Sequence, residues 1–161
     1  ADILEHLSGE VNDALAKKYQ IYAHRTPQYL EQMCMEHRCQ NGDVVAVYED
    51  GMHMDDGQVE ERLAGMFSYD IYDDTMYVER FESFDDHVRY VLDAAVRLAE
   101  HAFCRRLVVT MSERHFCDDI ANMLGVSVRM NDGYGFMALS LQGDDSLMSI
   151  LHEASFFDEI V

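Results

Sequence analysis

Residues 75–111 read TMYVERFESFDDHVRYVLDAAVRLAEHAFCRRLVVTM, and the order of elements within this run decides the fold. Thr75 to Phe81 is rich in residues that suit a pleated, half-buried surface, so it predicts a strand. Asp85 and Asp86 then open a strongly periodic segment. Val88, Val91, Leu92, Ala95, Val96, Leu98 and Ala99 recur at helical spacing and lead to Phe103. The two acids are expected to cap this helix and to complement its dipole. Arg106 to Met111 (RLVVTM) predicts a short buried strand. A strand, a helix and a strand in succession imply a crossover, and a crossover joins parallel strands. Leu107, Val108 and Val109 are therefore expected to form a central strand parallel to the one holding Tyr77 and Val78, with the helix covering the sheet.

Upstream, Asp43 to Tyr48 (DVVAVY) and Arg62 to Tyr69 predict two more strands, with Asp73-Asp74 turning the chain into the strand from Thr75. Three strands in an antiparallel meander follow. Between the first two, residues 49–61 carry Gly51, Gly57 and six acidic residues, which predicts a long solvated loop. Apolar residues from Ile3 to Tyr22 recur every three or four positions, so a helix is expected over residues 3–24, divided by Gly9. Thr26-Pro27 supplies a capping residue and a proline at the first helical position. A second helix is expected to run to Cys39 and to be closed by Asn41-Gly42-Asp43. Downstream, Ser112-Glu113 begins a helix ending at Leu124-Gly125, where glycine suits a left-handed cap. Val126 to Met130 and Phe136 to Leu141 predict two last strands, followed by a short helix and a tail. The whole reads as one α+β domain over residues 1–161: a helical part at 1–42, the sheet with its crossover helices at 43–141, and a C-terminal helix and tail at 142–161.

The 161 residues carry 12 Lys+Arg against 31 Asp+Glu, a net charge of −19. This balance excludes an ordinary nucleic-acid binder, since phosphate backbones are held by clustered cations. The same field disfavours an anionic membrane surface. With 48% hydrophobic residues, 8 Phe and 9 Tyr, the chain has ample material for a core. The four cysteines (Cys34, Cys39, Cys104, Cys117) have no need to pair in a domain of this size. No apolar run approaches the roughly 20 residues that a membrane span requires. A soluble, cytoplasmic protein is the expectation.

The order helix, helix, three antiparallel strands, long helix, strand, helix, two strands resembles the GNAT (general-control-related N-acetyltransferase) fold. Leu124-Gly125 followed by a strand, and Gly133-Tyr134-Gly135-Phe136-Met137-Ala138-Leu139, are similar to that family's helix-end Leu-Gly-Phe and its final Gly-Tyr-x-x-Met strand. Tyr19-Gln20-Ile21-Tyr22-Ala23-His24-Arg25-Thr26-Pro27-Gln28-Tyr29-Leu30 resembles the opening of the second, non-catalytic acetyltransferase-like domain of Eis-type (enhanced intracellular survival) proteins. The resemblance spans residues 10–141. It implies a mixed, mostly antiparallel sheet with helices on both faces, splayed in the family to admit acetyl-coenzyme A, and a helper domain beside a catalytic one.

An active member of that family cradles the coenzyme's pyrophosphate in a Gly-rich loop at a helix N-terminus. The matching stretch here is Glu82-Ser83-Phe84-Asp85-Asp86-His87-Val88-Arg89, and there is no glycine between Gly65 and Gly125. Glycines let the backbone approach the ligand and adopt positive φ. Two carboxylates stand where a polyanion would dock, so no cofactor-binding residue is assigned and acetyl-coenzyme A is not expected to bind there. The family's usual general acid is a tyrosine four residues before the helix-ending glycine. Counting back from Gly125 reaches Ala121, which has no proton to donate. Tyr134 or Tyr90 fills that role only under a different register, and no catalytic residue is assigned.

Cys34-x2-His37-x-Cys39 and His115-x-Cys117-Asp118 gather metal-capable atoms, but neither has the paired spacing of a zinc site, and no metal is assigned. Met52-His53-Met54-Asp55-Asp56 mixes soft and hard donors, which suits a loop tip better than any one metal. Cys117 and His115 are two apart, so on a helix they do not face each other. The 11 methionines fit either a Met-rich core or an adaptable contact surface. Phe156, Phe157, Ile160 and Val161, behind Leu147, Met148, Ile150 and Leu151, are expected to dock, within the domain or on a neighbour. The function expected is a degenerate domain, structural or substrate-shaping, beside another acetyltransferase domain or protein. Two alternatives stand: an active acetyl-coenzyme A-dependent N-acetyltransferase acting on an amine, and a stand-alone protein-interaction module; among partners, a homo-oligomer is kept open beside the acetyltransferase domain.

Overall fold

Thr26 starts a helix as its sequence demands: its Oγ1 accepts from the Tyr29 N–H at 3.1 Å, and Pro27 occupies the first turn. The computed structural model describes residues 2–53 and 59–110, with side chains at 3–50 and 61–110. The elements are α1 (Asp2–Lys18), α2 (Pro27–Arg38), β1 (Gly42–His53), β2 (Val59–Tyr72), β3 (Thr75–Ser83), α3 (Val88–His101) and β4 (Arg106–Val109). The chain groups into two units: Ala1–Ala14 with Arg25–Met111, and Leu15–His24 with Ser112–Val161. Of the second, Leu15–His24 is described. There the Tyr19 N–H donates to the Leu15 carbonyl at 2.8 Å, and the Lys18 ammonium lies 5.2 Å over the Tyr19 ring.

The first unit is built on a four-stranded sheet in the order β1-β2-β3-β4. β1, β2 and β3 form the expected antiparallel meander, and β3 pairs β4 in parallel, with Tyr77 opposite Val108 and Val78 opposite Val109. Among the described residues β4 ends the sheet order, so its expected central place depends on residues 111–161. The helix from Ser112, the strands at 126–130 and 136–141 and the C-terminal tail lie outside the described residues as well. Ala64 to Ser68 of β2 is buried without interruption. Alternate residues of a strand point to opposite sides, so this run is covered on both faces. α2 packs on β1 and β2, and α3 packs on β2, β3 and β4.

α3 buries Val88, Val91, Leu92, Ala95 and Ala99, the stripe its periodicity predicts. Each large member contributes about 1.5–3 kcal/mol when fully buried. The helix approaches β2 closely at Gly65, where an added Cβ would run into the Glu82 carbonyl and the Val91 side chain. Within the first unit, Asn12 of α1 fixes the chain that leads into α2. Its amide donates to the Arg25 carbonyl at 2.8 Å while its Oδ1 accepts from the Arg25 N–H at 2.8 Å. The Ser8 hydroxyl donates to the same carbonyl at 2.6 Å.

Four expectations are corrected. The first helix, expected to reach residue 24, ends at Lys18, because the chain from there turns back to place Arg25 on Ser8 and Asn12. Gly9 does not divide α1, because its position faces open space and a lone helical glycine costs only about 1 kcal/mol. The acidic stretch 49–61 is not a solvated loop throughout: β1 continues to His53 and β2 begins at Val59, since backbone pairing tolerates acids such as Asp50 and Glu61 whose side chains are exposed. Asp85 and Asp86 are not helix caps. The N-cap is His87, which makes no side-chain capping bond, and the two acids belong to the turn before it.

Candidate functional site

The place that decides the chemistry is the passage from β3 into α3. Phe84 is buried and its N–H donates to the Ala64 carbonyl of β2 at 2.8 Å, which anchors the passage to the sheet. The Phe84 carbonyl then accepts from the His87 N–H at 3.0 Å, across Asp85 and Asp86 at φ +50° and +60°. Two successive left-handed residues closed by that bond have the φ signs of a type I′ turn. Aspartate tolerates this conformation better than most residues because its short polar side chain bonds locally. The passage is thus a tight turn with both acids exposed.

His87 completes the turn. Its Nδ1 lies 2.8 Å from the Phe84 carbonyl oxygen, and its Nε2 lies 2.6 Å from Oε2 of Glu49 on β1. Tyr90, one turn into α3, presents its ring edge-on to the imidazole, with centroids 6.4 Å apart. Glu49 is thus held at His87, the N-cap of α3, and Asp85 and Asp86 are exposed in the turn just before it. Two like charges about 4 Å apart repel by about 1 kcal/mol in water and by about 4 at the effective dielectric of a protein surface. The helix N-terminus returns about 0.3–1 kcal/mol to an exposed anion.

β3 and β4 pair from Thr75–Val78 to Arg106–Val109, and the Thr110 N–H adds one bond to the Val78 carbonyl at 2.9 Å. Among the described residues, no ladder pairing joins Glu79–Ser83 to β4. Along that stretch Glu82 is a buried acid, 4% exposed. Sequence reasoning ended the strand at Phe81 and placed Glu82 in the loop after it, where a glutamate reads as a solvent-facing residue. Burial of a carboxylate is costly and concentrates at functional sites, and only the tertiary structure reveals it.

Tyr90 is half exposed and its hydroxyl donates to the Tyr48 carbonyl at 3.2 Å, which ties α3 to β1. The Tyr48 hydroxyl in turn donates to Glu10 of α1 at 2.8 Å. Burial first, and then the bond and charge of Glu10, push the Tyr48 phenol up to about 12. Burial likewise raises the Cys34 thiol, with repulsion from Asp43 adding to it, so Cys34 is not an activated nucleophile. The Cys34, His37 and Cys39 trio does not converge. His37 turns into the interior, where its Nδ1 meets Asp70, while Cys39 is exposed at the C-cap of α2. Among the described residues, no group of three or more His, Cys, Asp or Glu is placed to hold a metal ion, and no helix is long and apolar enough to cross a membrane. Ala121, Tyr134, His115 and Cys117 lie outside the described residues.

No known family profile matches the sequence, and neither does any curated protein. Solved structures do match in shape. Glucosamine-6-phosphate N-acetyltransferase from Arabidopsis thaliana superposes with a TM-score of 0.54 at 10% identity, over 83% of this chain and 92% of that one. An acetyltransferase of Trypanosoma brucei gives 0.53 at 10% identity over 84% and 94%, and a probable acetyltransferase gives 0.51 at 13% over 89% and 95%. Identities this low show the fold alone. The architecture is an α+β fold of the GNAT acetyltransferase type.

Proposed function

We propose that this chain is a degenerate GNAT-type domain without the family's acetyl-coenzyme A cradle. In this reading it serves as a structural or substrate-shaping neighbour of an active acetyltransferase domain, as its resemblance to the second domain of Eis-type proteins implies. The observation that carries the reading is the turn at Phe84–His87. Asp85 and Asp86 fill its two left-handed positions, and His87 brings Glu49 to the start of α3, so the start of α3 presents carboxylates where a coenzyme would need glycine N–H groups. Isothermal titration with acetyl-coenzyme A at low salt tests it. No measurable heat of binding is the expected result, and micromolar affinity refutes it.

One observation favours a second reading, an active N-acetyltransferase with an unconventional coenzyme site. Acetyl transfer to an amine requires a group that removes the amine's proton, and Glu82 is a buried carboxylate on the stretch of β3 that, among the described residues, pairs with β2 but not with β4. An acidic protein would also attract a cationic acceptor. The same titration separates the two, because the second reading requires the coenzyme to bind.

A further inference from the structure

Arg80 stands at a bulge of β3. Met66 pairs with Glu82 and Ser68 with Glu79, so Phe67 faces two residues, Arg80 and Phe81, across the ladder. Arg80 takes φ +49°, the left-handed conformation that disfavours a side chain by about 1–2 kcal/mol. Its guanidinium reaches α2, where Nη1 lies 3.2 Å from His37 Nε2 and Nη2 lies 3.9 Å from Glu36. The other ring nitrogen of His37, Nδ1, lies 2.9 and 3.0 Å from the two oxygens of Asp70 on β2. The imidazole is buried, with 7% of its side chain exposed.

The chemistry of these partners settles where the proton sits. Arginine only donates, so Nε2 must supply a lone pair to Nη1; the ring's single proton is then on Nδ1, donated to the Asp70 carboxylate. A second proton on Nε2 would point one donor at another. The Asp70 contact would gain an ionic component, and the Arg80 contact would be lost. Among the described residues, Asp70 from β2 and Arg80 from β3 meet the ring, and Glu36 on its own helix meets the Arg80 guanidinium. Asp43 of β1 is engaged by Arg38 at 3.2 Å.

We propose that His37 is a proton-operated clasp between α2 and the bulge of β3: in the neutral ring it holds Arg80, and on protonation it keeps Asp70 and yields Arg80, whose guanidinium turns to Glu36. The bulge loses one of the contacts that hold its left-handed residue. This inference rests on the described geometry of α2, β2 and β3 and is independent of whether the coenzyme binds.

Long-range proton–nitrogen NMR of the full chain reads the ring directly. The expected result is an Nδ1–H tautomer in the neutral ring, with the backbone amides of Arg80 and Phe81 shifting in step with the ring's own nitrogen signals as the ring takes up its second proton. His37→Gln keeps one amide donor and one acceptor but cannot titrate, and it should abolish those amide shifts. An Nε2–H tautomer, or Arg80 and Phe81 amides that titrate unchanged in H37Q, overturns the proposal. Should H37Q not fold, the tautomer and the shared midpoint in the parent protein decide alone, and discordant midpoints count against it.

Discussion

Replacing Asp85 and Asp86 together, by glycine in one variant and by alanine in another, isolates the backbone geometry of the turn before α3. Both variants remove the same two charges, so electrostatics cancels between them. At φ +50° and +60° an alanine bears the left-handed penalty of about 1–2 kcal/mol per residue, and glycine bears none. Glycine loses about 0.5–1 kcal/mol more backbone entropy on folding. The glycine pair should therefore exceed the alanine pair by about 1–2 kcal/mol. With a urea slope of about 2 kcal/mol/M, that separates the unfolding midpoints by about 0.5–1 M. Asp93, inside α3 and paired with Arg97 at 2.8 Å, is the internal control. There the order should invert, alanine exceeding glycine by about 1 kcal/mol. An alanine pair at 85 and 86 as stable as the glycine pair, with the Asp93 control behaving as stated, would refute the left-handed turn, the observation on which the proposed loss of the coenzyme cradle rests.

Thr26→Ala should lose about 1 kcal/mol in denaturant unfolding, because the Tyr29 N–H loses its capping acceptor. Phe67→Ala removes a fully buried ring, stacked on Phe81 at a centroid distance of 6.4 Å, and should cost about 3–5 kcal/mol by the same measurement. Gly65→Ala should destabilise by about 1–3 kcal/mol, since its Cβ meets the Glu82 carbonyl and Val91, and truncating Val91 should fail to restore the loss because the carbonyl stays in place. The Tyr48 phenol, pushed up to about 12 from an ordinary 10, holds its proton in the folded state after the unfolded chain has released it. Its contribution to stability is therefore complete below about pH 10 and is lost as pH rises towards 12. Thermal unfolding across that range should show a shallower alkaline decline in Tyr48→Phe than in the parent.

Local rules were enough for the framework. The Thr26-Pro27 start, the meander from Asp43 to Phe81 and the parallel return of Leu107–Val109 each follow from periodicity, turn residues and the length of a crossover, which act within a few positions or within one connection. The resemblance drawn from that order agrees with the shape of solved acetyltransferases. The absence of glycine between Gly65 and Gly125 likewise stood in the sequence, and it pointed to the passage before α3. What that passage does instead was decided in three dimensions. Asp85 and Asp86 were expected as caps because acids favour helix starts, yet the anchoring of Phe84 on Ala64 turns the chain through them and hands the N-cap to His87. Glu49 and His87 are 38 positions apart, and Asp70, His37 and Arg80 belong to three different elements, so no local spacing brings them together. Burial of Glu82 and His37 depends on what the sheet and helices lay over them. Local backbone preference is written along the chain, whereas the partner of a charged side chain is settled only when distant segments pack and exclude water from between them.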